Sequence, residues 1–449
     1  MSRLVEELTA VVGTDHVLNS PAFTTDWTGR FVGHTPAVVQ PGSVDEVAAA
    51  VHACRSHGAA IVPQGGNTGL VGGGVPLGGE VVVSLVRLNA VAVDATGGQV
   101  VAGAGATLSA VHEAAGAAGW AYGVDFASRD RATVGGTIAT NAGGLHVFRH
   151  GNTRAQVIGV EAVLGDGSTV SQLGGLTRDN AGYHLPSLLC GSEGTLGIVT
   201  AARLRLVPRA DERVTALLAF GSVGAAVTAA YALRRYLRTA EAIELVLAGG
   251  LDLVCQAMGL APPLPARHQA YLLVEAADSV SPAAEVNAAL ASLAGVEAAL
   301  VTAGPAERHA LWQYREKHTE SVNTLGVPHK LDVALPGERL TEFIEAVPSV
   351  VAGVAPAGRT WLWGHAAEGN VHVNVTGVEV DDDRADDAVL RLVVELGGSI
   401  SAEHGIGTAK KAWLSLTRTP AEIAAYRAIK RALDPDGILN PNVLLPQPS

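Results

Sequence analysis

The sequence predicts an α+β protein built in two parts, with a C-terminal segment that completes the first part. Three observations carry this expectation. The chain has 449 residues, too many for one ordinary domain. From about Thr35 to Val207, short β-like runs alternate with glycine bursts and Ala-rich helical stretches. After Pro208 the rhythm becomes strand–helix–strand with longer helices, and residues 400–449 read as a helical segment ending in the turn-rich DPDGILNPN. The expected divisions are 1–208, 209–399 and 400–449.

The elements follow in order. AVVQP reads as a strand, Ser43 opens a helix (VDEVAAAVHACRSHG), and AAIVPQGG and EVVVSL are the next strands. Ser43 and Glu46 have capping-box spacing. Val214–Leu233 carries no charge over 20 residues, long enough to span a bilayer. It divides, however, at Gly221-Ser222: TALLAF reads as a strand, and Ser222 caps an Ala-rich helix whose Arg234-Arg235 pair suits a C-terminus. A helix with Pro305 in its first turn is expected to run through Thr319, and KLDVALP reads as a strand.

Composition excludes several classes. With 48% hydrophobic and 16% charged residues the chain is not disordered, and a net charge of −12 argues against a nucleic-acid partner. Cys54, Cys190 and Cys255 form no CxxC pair, which excludes an iron–sulfur site within the chain and suits a reducing compartment. MSRLVEEL places acids where a secretory signal would place bases. A cytoplasmic location, peripheral to a membrane at most, is expected.

Glycine supplies 53 of the residues, about 12% against a usual share of roughly 7%. PQGGNTGLVGGG (63–74) directly follows an apolar strand, and backbone amides in such a turn can converge on a phosphate. It is neither a Walker loop nor a dinucleotide G-x-G-x-x-G. Two further clusters follow, TVGGTIATNAGG (133–144) and CGSEGTLGIVT (190–200). These segments, in this order and with VIGVEAVLGDGS and DNAGYHLPSLL between them, resemble the FAD-binding domain of the vanillyl-alcohol-oxidase (p-cresol methylhydroxylase) family. The resemblance implies a two-part FAD-binding domain under an α+β cap that carries the substrate. It implies FAD contacts from Pro63, Gly65, Gly66, Asn67, Thr68, Gly69, Gly135, Gly136, Gly143, Gly194, Ile198 and Asn440. Some members link FAD covalently through a His beside the first Gly-Gly; Asn67 holds that place here, so the FAD is expected to be non-covalent.

The second half carries the candidate chemistry. NVHVNV (370–375) alternates as a strand does, placing Asn370, His372 and Asn374 on one face. His365 precedes across a turn that could fold it back beside His372, and EHGIG begins at Glu403. Two His and a carboxylate are a recognised divalent-metal set with a position left open for substrate. GH-x3-GN-x-H-x-N followed by EHGIG resembles the metal-dependent D-2-hydroxy acid dehydrogenases. That resemblance implies His365, His372 and Glu403 as metal ligands, zinc being the expected ion, with His404 as the base beside the substrate. Ala367-Glu368 stands where the family usually has Gly-Asp.

Arg315, Thr319 and Lys330 resemble the substrate pocket of the D-2-hydroxyglutarate branch, with Asn370 and Asn374 beside them. Arg offers a bidentate carboxylate clamp and Lys a point charge, so a dicarboxylate such as D-2-hydroxyglutarate or D-malate is expected. The reduced flavin needs an acceptor (an electron-transfer flavoprotein, a quinone or a cytochrome), and a homodimer is one assembly to test. Three alternatives stand: a glycolate or D-lactate dehydrogenase, an alkylglycerone-phosphate-synthase-like FAD transferase, and a non-catalytic flavin subunit.

Overall fold

Valine-rich runs too short to bury a surface alone are gathered into small sheets in the first of two units. The computed structural model describes residues 2–278 and 281–446. Unit 1 comprises Met1–Gly144, Gly151–Arg209 and Glu403–Ser449; unit 2 comprises Leu145–His150 and Ala210–Ala402.

In unit 1, β1 (Val17–Leu18), β2 (Val38–Val39), β3 (Ile61–Gln64) and β4 (Val81–Ser84) form a sheet of order β1-β2-β4-β3, parallel except for β1. β5 (Val91–Asp94), β6 (Gln99–Gly103), β8 (Val157–Val163), β9 (Thr169–Ser171) and β10 (Ile198–Arg205) form an antiparallel sheet of order β5-β6-β10-β8-β9. β7 (Trp120–Ala121) pairs with β11 (Val207–Pro208). Helix Val44–Ser56 buries Val47, Ala50, Val51 and Cys54 in the shared core. Its capping box is only half formed. Ser43 accepts the Glu46 N–H at 3.2 Å, but the Glu46 carboxylate accepts the Gly42 N–H at 2.7 Å.

The C-terminal segment is stitched into the same unit. The Ile61 N–H donates to Ile438 O at 2.8 Å and the Asn440 N–H to Ile61 O at 2.7 Å, extending the edge at β3. Lys430 Nζ donates to Thr195 O at 2.8 Å and Leu439 O at 2.6 Å.

Unit 2 is built on one antiparallel sheet of order β15-β12-β14-β13-β17-β18-β16. Its strands are β12 (Glu212–Phe220), β13 (Ala240–Leu247), β14 (Ala270–Asp278), β15 (Val296–Thr302), β16 (His329–Ala334), β17 (Arg359–His365) and β18 (Asn370–Thr376). The uncharged run resolves as its interruption predicts. β12 ends at Phe220, Ser222 accepts the Ala225 N–H at 3.1 Å, and helix Val223–Tyr236 closes with Arg234 and Arg235 in its last turn. Among the described residues no helix is long and apolar enough to cross a membrane.

One expectation fails. The helix expected through Thr319 stops at Glu316, and Thr319 lies on a second short helix, His318–Asn323. Arg315 and Thr319 are therefore not i, i+4 neighbours on one helix. Nothing in the composition of that stretch marks the break, which falls at Lys317, where φ is −81° and ψ 1°. The buried Leu311, Trp312 and Arg315 set the course of the first helix instead.

Candidate functional site

The glycine clusters of unit 1 meet one another. A Cβ on Gly65 would lie 2.1 Å from Thr133 Oγ1, one on Gly66 1.8 Å from Arg131 O, and one on Gly135 2.7 Å from Ala104 Cβ. Gly65 and Gly66 are thus required by the approach of two loops, whatever ligand they face. Gly69 and Gly73, by contrast, face open space. Asn67 adopts φ 51° and its amide donates to Thr25 O at 2.8 Å. Gly136 lies in the helix Val134–Thr140, and Gly143 is buried just beyond it.

Pro63 on β3, Gly194 and Asn440 also converge. A Gly194 Cβ would lie 3.1 Å from Pro63 Cγ and 3.7 Å from Asn440 Nδ2. The Asn440 amide donates to Gly73 O at 2.9 Å and Glu193 O at 2.8 Å, while its buried Oδ1 has no hydrogen-bond partner among the described residues. A buried acceptor left open is costly unless a ligand meets it. The cradle therefore fits a flavin nucleotide. Ile198 opens β10 with its side chain in the core, so it can offer such a ligand its backbone only.

In unit 2 strand register assembles the second cluster. β18 pairs with β16 so that His372 faces Asp332 and Asn374 faces Lys330; it pairs with β17 so that His372 faces Trp363. β13 pairs with β17 so that Glu244 faces His365. Side chains alternate across a strand, so Glu244, His365, His372, Asn374, Asp332 and Lys330 share one sheet face. The turn Ala366–Gly369 folds His365 back on His372, with ring centroids 5.5 Å apart. Arg234 Nη1 donates to Ala367 O at 2.6 Å, and the Leu335 N–H to Gly369 O at 2.9 Å; Gly369 has φ 73°. These backbone contacts help to hold the turn.

Buried charges surround the two histidines. Glu244, about 1% exposed, accepts from His365 Nδ1 at 2.6 Å through Oε1 and from Arg315 Nε at 2.7 Å through Oε2. Burial pushes its carboxyl up, but His365 and Arg315 outweigh burial and hold it below the ordinary value. His372 Nδ1 lies 3.5 Å from Asp332 Oδ1. Lys330, 7% exposed, donates through Nζ to Asn323 Oδ1 at 3.0 Å. The Asn370 Oδ1 is buried with no hydrogen-bond partner among the described residues. A pair of imidazoles with carboxylates behind them is the donor set that divalent zinc takes. Among the described residues, His372 and Asp332 belong to a group whose ligand atoms lie within 4.8 Å of one another, close enough to share a metal; His365 is not in that group, although its ring lies beside His372.

Glu403 and His404 open the last segment of unit 1, with the Glu403 carboxylate accepting the Gly144 N–H at 3.2 Å and lying 3.7 Å from His404 Nε2. That segment is anchored by Glu193, whose carboxylate accepts the N–H groups of Ile406 at 2.8 Å and Gly407 at 2.7 Å. GSEG and EHGIG are thus joined directly.

Sequence reasoning missed Glu193, Glu244 and Asp332. Glu244 was findable, since AEAIELVL is apolar but for Glu241 and Glu244, and acids inside such a strand must be buried with partners. Asp332 stands two residues from Lys330 in KLDVALP and so shares its face.

Comparison with known proteins agrees with this architecture. Residues 35–172 match the FAD binding domain family, and residues 209–444 match the family of FAD linked oxidases, C-terminal domain. The fold is that of p-cresol methylhydroxylase with substrate bound (TM-score 0.77, 16% identity, 98% of this chain and 96% of that one). Alkyldihydroxyacetonephosphate synthase shares it too (TM-score 0.76, 18% identity, 98% and 84% covered). Fold and cradle together define an FAD-linked oxidoreductase.

Among relatives, the D-2-hydroxyglutarate dehydrogenase of Xanthomonas citri pv. viticola is 38% identical over 93% of this chain and 91% of its own length. The mitochondrial enzyme of that name from Bos taurus is 34% identical over 94% and 79%. A D-2-hydroxyglutarate–pyruvate transhydrogenase of Saccharomyces cerevisiae is 31% identical over 96% and 92%. The chain belongs to the family of FAD-linked D-2-hydroxy acid dehydrogenases, and its fold is shared with p-cresol methylhydroxylase.

Proposed function

We propose that the protein oxidises D-2-hydroxyglutarate, and D-malate as a second dicarboxylate, to the 2-oxo acid. The observation that carries this reading is a pair of cations, Arg315 and Lys330, each 7% exposed, beside the sheet face that holds His365 and His372. Arg315 has its Nε engaged by Glu244, so its Nη1/Nη2 end is the part that would clamp one substrate carboxylate, and Lys330 supplies a second positive charge for the other carboxylate of a dianionic acid. The names of the relatives at 31–38% identity support the same substrate.

His365, His372 and Glu403 are assigned to a divalent ion, zinc on the chemistry of the donors. When bound, the ion supplies a Lewis acid at the 2-hydroxyl, and FAD, held without a covalent link, supplies the acceptor for the C2 hydride. His404 takes the hydroxyl proton as general base, worth about 10²–10⁴-fold in rate. Arg315, Thr319 and Lys330 grip the substrate carboxylates, and Asn370 and Asn374 complete its hydrogen bonds. The electrons then leave to an electron-transfer flavoprotein, a quinone, a cytochrome or, as the name of the yeast relative suggests, a 2-oxo acid.

The test is turnover with an artificial acceptor on D-2-hydroxyglutarate, D-malate and D-lactate, before and after chelation and with zinc restored. Dicarboxylates should be preferred, and chelation should abolish activity reversibly. A metal-free enzyme of full activity refutes the metal assignment, and D-lactate as the best substrate refutes the dicarboxylate assignment.

A further inference from the structure

We propose that Glu244 is a positioning residue that sets the tautomer of His365 and the orientation of Arg315 through its two carboxylate oxygens. The inference rests on the reading of His365 as a metal ligand and Arg315 as a carboxylate clamp. Glu244 sits in the middle of β13, whose neighbours Ile243 and Leu245 are buried. Its Oε1 accepts from His365 Nδ1 at 2.6 Å and its Oε2 from Arg315 Nε at 2.7 Å.

A buried ion pair is weak evidence for stability, since an apolar pair of the same volume often does as well. The chemistry of the two donors gives a more specific role. A carboxylate can only accept, so the bond to His365 places the imidazole proton on Nδ1. The lone pair is then on Nε2, the nitrogen through which the ring would bind a metal, and the carboxylate behind the ring raises its basicity. The other oxygen fixes the Nε–H of Arg315, so the guanidinium presents its Nη1/Nη2 end to a substrate. One carboxylate thus aims a metal ligand and a substrate clamp together.

Glu244→Gln separates this role from simple packing, because the amide has nearly the same shape with one acceptor only. The Nε–H of Arg315 is always a donor, whereas a neutral imidazole can change tautomer. The amide oxygen therefore goes to Arg315 and the amide N–H₂ to His365 Nδ1. The proton of His365 moves to Nε2, where it blocks metal.

The experiment is equilibrium dialysis of the metal-stripped, flavin-loaded protein against a zinc series, for wild type and Glu244→Gln, with flavin content and circular dichroism measured on both. Zinc affinity is expected to fall by about 10- to 100-fold in the variant, the usual effect of losing such a partner. The KM for D-2-hydroxyglutarate at saturating zinc should change less. Equal zinc affinity in the two proteins overturns the proposal. If wild type binds no zinc, the metal assignment itself fails and Glu244 is not at issue. If the variant does not fold, nitrogen-15 NMR of wild-type His365, assigned by His365→Asn, decides. The Nδ1–H tautomer is expected in the zinc-free protein, and the Nε2–H tautomer overturns the proposal.

Discussion

Replacing Lys330 by Met removes a charge and keeps most of the side chain's shape, so it separates substrate grip from packing. Lys330 stands on β16 opposite Asn374, 7% exposed, and its Nζ is set by Asn323 Oδ1 at 3.0 Å. A charge-assisted hydrogen bond in a site this dry is worth about 1.5–3 kcal/mol, so kcat/KM for D-2-hydroxyglutarate should fall by roughly ten- to 150-fold. D-Lactate has no second carboxylate and should lose much less. Asn323→Ala leaves the cation but removes the neutral amide that aims it, about 0.5–1.5 kcal/mol or roughly two- to twelvefold on the dicarboxylate. Steady-state kinetics on both substrates for the three proteins give the answer. A uniform loss across substrates in Lys330→Met would mean that Lys330 acts on a shared group or on the fold, and the dicarboxylate assignment would lose its support.

Two further expectations follow from other residues. With Asn67 in place of a linking His, acid precipitation should release all of the flavin; yellow colour retained by the washed precipitate contradicts this. The second concerns acid stability. Burial raises the Glu275 carboxyl, but His146, Arg213 (Nη1 at 2.8 Å) and Trp312 (Nε1 at 2.8 Å) bring it down to about 2. A depressed carboxyl contributes stability in full above its ordinary value of 4.5, and that contribution is lost as pH falls toward about 2. His146 is shifted the other way: burial lowers it, but Glu275 and Glu241 raise it on balance, so its share is lost as pH rises through the raised value. Urea denaturation from neutral pH down to about pH 3 should show wild type losing its advantage over Glu275→Gln, whereas a constant difference would refute the network's role.

Elements whose ends carry local chemistry were legible in the sequence. Ser43 and Ser222 cap the helices they were expected to cap, and the Gly-Ser interruption separates β12 from the helix after it. The alternation of NVHVNV placed His372 and Asn374 on one face, as strand register confirms. That strand is buried on both faces, which alternation alone does not reveal. The split of the Pro305 helix was hidden because no Gly or Pro marks Lys317. Also hidden was the short run Leu145–His150, which belongs to unit 2 although the glycine cluster just before it belongs to unit 1. Its anchors, Glu241 and Glu275, lie about a hundred residues away along the chain, and pairing at that distance leaves no local pattern. The same holds for Glu244 and its two partners.

Anaerobic mixing of the purified flavoprotein with D- and then L-2-hydroxyglutarate, followed by flavin absorbance, tests the central claim most directly. The D-enantiomer is expected to bleach the oxidised flavin within the time of a turnover and the L-enantiomer to leave it yellow. Equal bleaching by both, or none by either in a flavin-loaded, zinc-supplied enzyme, would contradict the assignment.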